Sequence, residues 1–239
     1  MRRVDTAEIL DTDSCPPADV QASLRDLALI NRWFGGVSTT QSMIERVAGV
    51  AGKRHLTVLD VAAGSGEVPL LVAEKLARRG VTLDITLLDR AHSHLSRNAR
   101  SLVGDGLALP FPDSAFDLVT CNLFAHHLGP EALGGFVKEA LRVCRCAVLI
   151  NDLVRHPLHL ALVYAGFPLM RSRISRLDGV ASVRRAYVPD EIRQIVASAL
   201  PGEPPPVEVF RHYLFRMGVI VWRLAAKGAN GPGSERRVA

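Results

Sequence analysis

Thr57-Val58-Leu59-Asp60-Val61-Ala62-Ala63-Gly64-Ser65-Gly66 begins as a short, almost continuously apolar segment and closes on two glycines. Apolar side chains at successive positions mark a strand buried on both faces, as in the middle of a parallel sheet. The glycines stand where the chain must turn from that strand into a helix, expected from about Val68 to Arg79 and stopped by Gly80.

Downstream the alternation continues. Val81 to Leu88 reads as a second strand ending at Asp89, followed by a helix near Ser93 to Ala99. Leu102-Val103 reads as a third strand before Gly104-Asp105, and Phe116 to Cys121 as a fourth. Glu131 to Val143 reads as a helix and Ala147 to Ile150 as a fifth strand. Strands alternating with helices at this spacing imply a parallel, doubly wound sheet. Upstream, residues 21–50 read as two helices broken at Gly35-Gly36, the second from about Thr39, and residues 1–20 as a frayed lead-in. Residues 153–187 break the rhythm and read as an inserted helical cap. Val188-Pro189-Asp190-Glu191 opens a helix to about Leu200, with Asp190 or the preceding turn as its cap. After the link Pro201 to Pro206, Val207–Leu214 and Val219–Arg223 read as a hairpin, and the tail from Ala225 as disordered. The expected architecture is α/β and Rossmann-like, with a mostly parallel seven-stranded sheet.

Three features fall at the carboxyl ends of the first three strands, where a doubly wound sheet binds its ligand. Gly64 and Gly66 let backbone approach a ligand, and the helix that follows offers free N–H groups to an anion. Asp89 is placed to accept from the hydroxyls of an adenosine ribose, with Arg90 beside it. Gly104-Asp105-Gly106 is placed to meet an adenine amine, with Leu109-Pro110-Phe111 holding the ring. Each feature alone has a plain structural explanation as a tight turn or a helix cap; their order on matching strands is what points to a nucleoside. A dinucleotide dehydrogenase shares this geometry, but Pro69 stands where its third glycine belongs. Asp60 would also repel a pyrophosphate, whereas a ligand carrying a primary amine beside a carboxylate would explain it.

With these motifs, residues 55–152 resemble the class I S-adenosylmethionine-dependent methyltransferases, particularly the broad group that includes the ubiquinone and menaquinone biosynthesis methyltransferases. The matching segments are Val58 to Gly66 (with Ala62 where glycine is commoner), Asp89, Gly104-Asp105-Gly106, Leu109-Pro110-Phe111, Phe116-Asp117-Leu118-Val119 and His126-His127-Leu128. Tyr187 to Glu191 resembles that group's helix after the cap. The resemblance implies S-adenosylmethionine (SAM) as cofactor. It implies cofactor binding by Asp60, Ala62, Gly64, Gly66, Asp89, Arg90, Gly104, Asp105, Gly106 and Asn122. It also implies a single domain over 1–239: N-terminal helices 21–50, cofactor core 55–152, cap 153–187, C-terminal helix and strands 188–224, and tail 225–239.

The implied reaction is methyl transfer from the sulfonium to a nucleophile. Alignment supplies much of the rate, and an alcohol or carbon acceptor gains from a base. His126 and His127, after the fourth strand, are the candidates for that base. Packing and loop contacts are their plainer role, and for Asp152 a structural role is favoured. Cap residues Leu158, Leu160, Leu162, Val163, Tyr164, Phe167 and Met170, with Arg171, Arg173, Arg176, Arg184 and Arg185, read either as an apolar acceptor pocket with a cationic rim or as an amphipathic cap with solvated arginines. The expected acceptor is a small phenolic, polyketide or lipid-like molecule, methylated on oxygen, or on carbon as for a quinone.

A macromolecule-modifying enzyme and a non-catalytic SAM-binding protein are the rival functions. The segment Asn122-Leu123-Phe124-Ala125 lacks the signature expected of the first, and the intact cofactor motif counts against the second. The net charge of +5 comes largely from scattered arginine, so no nucleic-acid partner is expected. Cys15, Cys121, Cys144 and Cys146 form no CxxC pair, so no metal site is expected and the thiols read as reduced. Cys144 and Cys146, two apart, would share one face of a strand. The N-terminus is not a signal peptide, and the apolar stretch Pro157 to Met170 is too short to span a bilayer. The protein is expected in the cytoplasm as a monomer or homodimer without stable membrane insertion.

Overall fold

A computed structural model of the chain describes residues 1–11, 15–92, 95, 99–200 and 205–223. Helices α1 (Pro17–Trp33) and α2 (Gly36–Ala51) precede β1 (His55–Val61), α3 (Glu67–Ala77), β2 (Thr82–Asp89), β3 (Ser101–Val103) and β4 (Phe116–Asn122). Then come α4 (Pro130–Val143), β5 (Cys144–Leu153), α5 (Pro157–Ala165), α6 (Arg173–Arg185), α7 (Pro189–Ala199), β6 (Val207–His212) and β7 (Arg216–Trp222). The strands form one seven-stranded sheet in the order β3-β2-β1-β4-β5-β7-β6. β1 to β5 run parallel, and β7 runs antiparallel to both of its neighbours. The chain therefore has the doubly wound, mostly parallel sheet expected from its alternating pattern.

Both faces of the sheet are covered, which is why its strands are apolar at successive positions. Val148 and Ile150 of β5 pack with α4 and α7 on one face, through Leu133, Phe136, Val137, Ile192 and Val196. Ala147 and Leu149 pack with α2 and α3 on the other, through Met43, Ile44, Val47, Val72 and Leu76. Proline occupies the first turn of α1, α4, α5 and α7, where its missing N–H is harmless and its fixed φ suits the helix.

Several expectations shift. α2 starts at Gly36 rather than Thr39. Gly35 turns at φ 84, and a Cβ on Gly36 would lie 2.4 Å from the Asn31 side chain, so the glycine pair sets a tight α1–α2 corner. β5 extends to Leu153 because polar Asn151 and Asp152, which look like a strand end, are buried and bonded. Cys144 and Cys146 point to opposite faces: β5 carries an extra residue between the partners of Phe116 and Leu118, and this bulge breaks the two-residue alternation. In α7 the capping group is Glu191, which accepts from the Val188 N–H, while Asp190 pairs with Arg193. The helix expected near 93–99 falls largely outside the described residues, as do most of the link at 201–206 and the tail expected from 225.

The segment expected to fray is tied down. Arg3 donates to the carbonyls of Arg185, His126 and Leu128, and its guanidinium lies 4.5 Å from the centre of the Tyr187 ring. Val4 N–H bonds to Arg184 O, and Asp178 accepts from the N–H groups of Ile9 and Leu10. These bonds carry Glu8 to a buried position over the sheet's carboxyl edge. Among the described residues, no helix is long and apolar enough to cross a membrane.

Candidate active site

The carboxyl ends of β1, β2 and β4 open into a cavity of about 690 Å3 that continues beneath α1, α5 and α6. Asp60, Ala62, Gly64, Asp89, Arg90, Gly104, Asp105, Gly106, Asn122, His126 and His127 all line it. Of the residues expected to bind the cofactor or act as base, Gly66 alone does not, and Leu109, Pro110 and Phe111, expected to hold the ring, also lie outside the lining. A Cβ on Gly66 would lie 2.4 Å from Leu87, so this glycine, at φ 73, serves helix–strand packing instead of ligand approach. Gly64 does face open space. Ala62 holds φ 54, a left-handed conformation that glycine adopts without a steric penalty.

Asp60, next to last in β1, is almost fully buried. Thr120 Oγ1 and Asn122 Nδ2 both donate to its Oδ1. Burial dominates over those bonds, and the nearby Asp89 charge adds to it, so the carboxyl is pushed up to about 7. Asn122 is locked in turn: its Oδ1 accepts from Thr40 Oγ1 at 2.6 Å and from Asn151 Nδ2 at 3.2 Å. A buried acid held among neutral donors, with a cavity in front of it, is suited to a cationic ligand group.

Asp89 ends β2 with both oxygens engaged by the loops it serves. Oδ2 accepts from Gly64 N–H at 2.8 Å and Oδ1 from Ala91 N–H at 2.9 Å. Each carboxylate oxygen accepts more than one hydrogen bond, so the same geometry aims the remaining lone-pair directions. Asp105 is exposed, and its Oδ1 accepts from Leu107 N–H, closing the turn after β3. Arg90 is exposed at the rim. No side chain caps α3, whose N-terminus faces this end of the cavity.

The two histidines lie in a short 3-10 turn, Ala125–His127. His126 is 2% exposed, with Nδ1 2.6 Å from Asp152 Oδ1 and Nε2 3.2 Å from Glu8 Oε1. Burial opposes charge on the ring, but the Asp152 and Glu8 carboxylates outweigh it and raise the pKa to about 9. At neutral pH this imidazole already carries its proton, which corrects its expected role as a free base. Burial works against the Asp152 carboxyl too, yet the His126 charge holds it below the usual range. Asp152 also faces Arg216, a fully buried guanidinium that burial lowers to about 10. His127 is partly exposed, with Nε2 3.6 Å from Glu8 Oε2. One ligand atom from each of Glu8, His126 and His127 lies within 4.8 Å of the others, a cluster able to hold a metal ion.

Sequence reasoning missed Glu8, Arg216 and His159. Glu8 sits in a segment without periodicity, and nothing local ties it to residues 126 and 127. His159, on α5, also lines the cavity. Its Nδ1 is 3.0 Å from Val154 O, and a carbonyl only accepts, so the proton is on Nδ1 and the lone pair on Nε2. Burial, aided by the Arg216 and His156 charges, holds His159 below the ordinary histidine value. The cap arginines separate by environment. Arg185 is buried and donates to His127 O, and Arg176 holds Met170 O, while Arg171, Arg173 and Arg184 are exposed.

Residues 58–146 match the family described as "Methyltransferase domain". The "Ubiquinone/menaquinone biosynthesis C-methyltransferase UbiE" of Rickettsia bellii is 32% identical over 100 residues, covering 37% of this chain and 40% of that protein. The "Demethylmenaquinone methyltransferase" of Renibacterium salmoninarum is 32% identical over 150 residues, covering 60% of this chain and 56% of that protein. The chain thus spans about half the length of the curated relatives it matches. A SAM-dependent methyltransferase from Aquifex aeolicus superposes with a TM-score of 0.59 at 16% identity, over 88% of this chain and all of that one. The plantazolicin methyltransferase BpumL, in complex with S-adenosylhomocysteine, superposes with a TM-score of 0.65 at 11% identity, over 89% and 91%. At these identities the structures show the fold alone. Residues 58–146 therefore match a methyltransferase domain, and the chain resembles the ubiquinone and menaquinone biosynthesis methyltransferases over part of its length.

Proposed function

We propose that the whole chain is a cytoplasmic enzyme that transfers a methyl group from SAM to an oxygen of a small phenolic, polyketide or lipid-like acceptor. The observation that carries this reading is the cavity itself. Two buried strand-tip acids stand at one end, and a largely apolar chamber under the cap, lined by Leu24, Leu27, Val163 and Met170, continues from it. When bound, SAM supplies an electrophilic methyl on a sulfonium. Asp60 would hold its ammonium, Asp89 the ribose hydroxyls, and the turn at Gly104-Asp105-Gly106 the adenine. The α3 N-terminus, with Gly64 in front of it, would meet the carboxylate. α1, α5 and α6 would exclude water and align the acceptor, which supplies on the order of 7–11 kcal/mol of the barrier.

His159 would take the acceptor's proton. Its tautomer leaves Nε2 as the accepting atom, and its lowered pKa keeps it neutral at pH 7. His159→Gln is expected to lower kcat by about 10²-fold or more with SAM affinity unchanged. The acid limb of the kcat profile should lie below the ordinary histidine range and disappear in the variant. An unchanged profile would remove His159 from the reaction.

The curated relatives' names favour a second reading, methylation of a quinone-type carbon. Product analysis by NMR after incubation with hydroquinone and phenol acceptors separates O-methyl from C-methyl products. The primary test is calorimetric titration with SAM and S-adenosylhomocysteine. Micromolar-class binding is expected, lost in Asp89→Ala; a wild-type chain that binds neither ligand would defeat the enzyme reading.

A further inference from the structure

Glu8, next to the 3-10 turn Ile9–Asp11, meets His126 and His127 although the segments are far apart in the chain. Glu8 Oε1 is 3.2 Å from His126 Nε2, and Glu8 Oε2 is 3.6 Å from His127 Nε2. Ligands about 2.0–2.2 Å from a tetrahedral ion sit roughly 3.4 Å from one another, and one ligand atom from each of the three residues lies within 4.8 Å of the others, close enough to draw in around one ion. His126 Nε2 is buried and faces Glu8 Oε1. Without a metal ion a proton on His126 Nε2 faces Glu8, and an ion bound there would displace that proton.

The surroundings are those of a ligand set held in place. Asp152 accepts from His126 Nδ1, so the carboxylate orients the imidazole and directs Nε2 at the centre of the cluster. Ser182 donates to Glu8 Oε1 at 2.7 Å, and Asp178 fixes the backbone just after Glu8. Glu8 and Asp152 bring two negative charges to the cluster, with Arg216 facing Asp152 and Arg185 4.0 Å from Glu8 Oε1 and 3.4 Å from Asp5.

We propose that Glu8, His126 and His127 form a site for a first-row divalent transition ion such as zinc, with a further coordination position open to the cavity. Two imidazoles and one carboxylate suit zinc or cobalt, while magnesium and calcium favour oxygen donors throughout. All three residues line the cavity, so the open position would take an oxygen, hydroxyl or carboxylate, of a small molecule bound under the cap. The site stands apart from the reading of the reaction, since it can be tested without a methyl acceptor.

The full chain, freed of any tag and stripped with a chelator, is titrated with Co²⁺ and followed by visible absorption. One equivalent should bind with the intense d–d bands of a tetrahedral N/O site. Zinc should abolish the bands and excess magnesium should leave them. Glu8→Gln and His127→Ala should eliminate the bands, and Asp152→Asn should weaken binding about 10–100-fold. A cooperative melt and SAM binding show that each variant is folded. Absence of one-to-one cobalt binding, displacement by magnesium, or bands that persist in both ligand variants would overturn the proposal.

Discussion

Asp60→Asn is expected to make the protein more stable while removing its affinity for SAM. The acid costs the fold free energy because burial raises its pKa from 3.8 to about 7. A carboxyl whose folded pKa is raised binds its proton more tightly in the folded state. Stability is therefore lost as pH rises from the unfolded pKa through about 7, and above that the full penalty applies. The neutral isostere avoids it: Asn Oδ1 can still accept from Thr120 and Asn122. The gain is up to about 4 kcal/mol at alkaline pH, at about 1.4 kcal/mol per pKa unit. For a chain of this size each kcal/mol raises Tm by about 2–4 °C. The same change leaves the ligand's ammonium without its counter-charge, so the Kd for SAM should rise about 10²–10³-fold, the range for a charged, buried hydrogen bond. In the wild type, proton and ammonium compete for Asp60, so affinity should fall as pH drops below about 7. Calorimetry across pH 5.5 to 8.5 with scanning fluorimetry reads both effects. A variant that loses stability, or keeps its SAM affinity, would show that Asp60 serves the fold alone.

The second large effect belongs to Asp152→Ala. Asp152 is 1% exposed and accepts from the His126 ring, His126 N–H and Leu153 N–H, and it faces the Arg216 guanidinium. Truncation leaves a buried imidazolium and a buried guanidinium without this counter-charge. Removing one partner of a buried charged pair costs about 3–5 kcal/mol, so Tm should fall by roughly 6–20 °C at about 2–4 °C per kcal/mol. Asp152→Asn keeps an acceptor for the backbone N–H groups and should fall less. Denaturant melts at pH 7.5 check this, and a truncation that costs under about 1 kcal/mol would mean that other groups balance the two cations.

The alternation of apolar strands with helices in residues 57–150 determined the sheet, because a parallel strand must bury both faces and a crossover helix must reach back over it. The strand-tip positions of Asp60, Asp89 and Gly104-Asp105 followed from that periodicity, since a strand's end in sequence is also its end in space. The roles of neighbouring residues did not follow. Gly64 and Gly66 look alike on paper, and only the Leu87 side chain assigns one to packing. A bulge in β5 separated two cysteines that a two-residue alternation had placed together.

How the capped end of the cavity is assembled was a matter of tertiary structure. Glu8, His126, Asp152, His159 and Arg216 come from five segments, and no short-range pattern links them. What each can do depends on electrostatics in a buried volume. A histidine between two carboxylates keeps a proton, another, buried and near a guanidinium, gives it up, and sequence spacing carries no record of which carboxylate the fold will bring near.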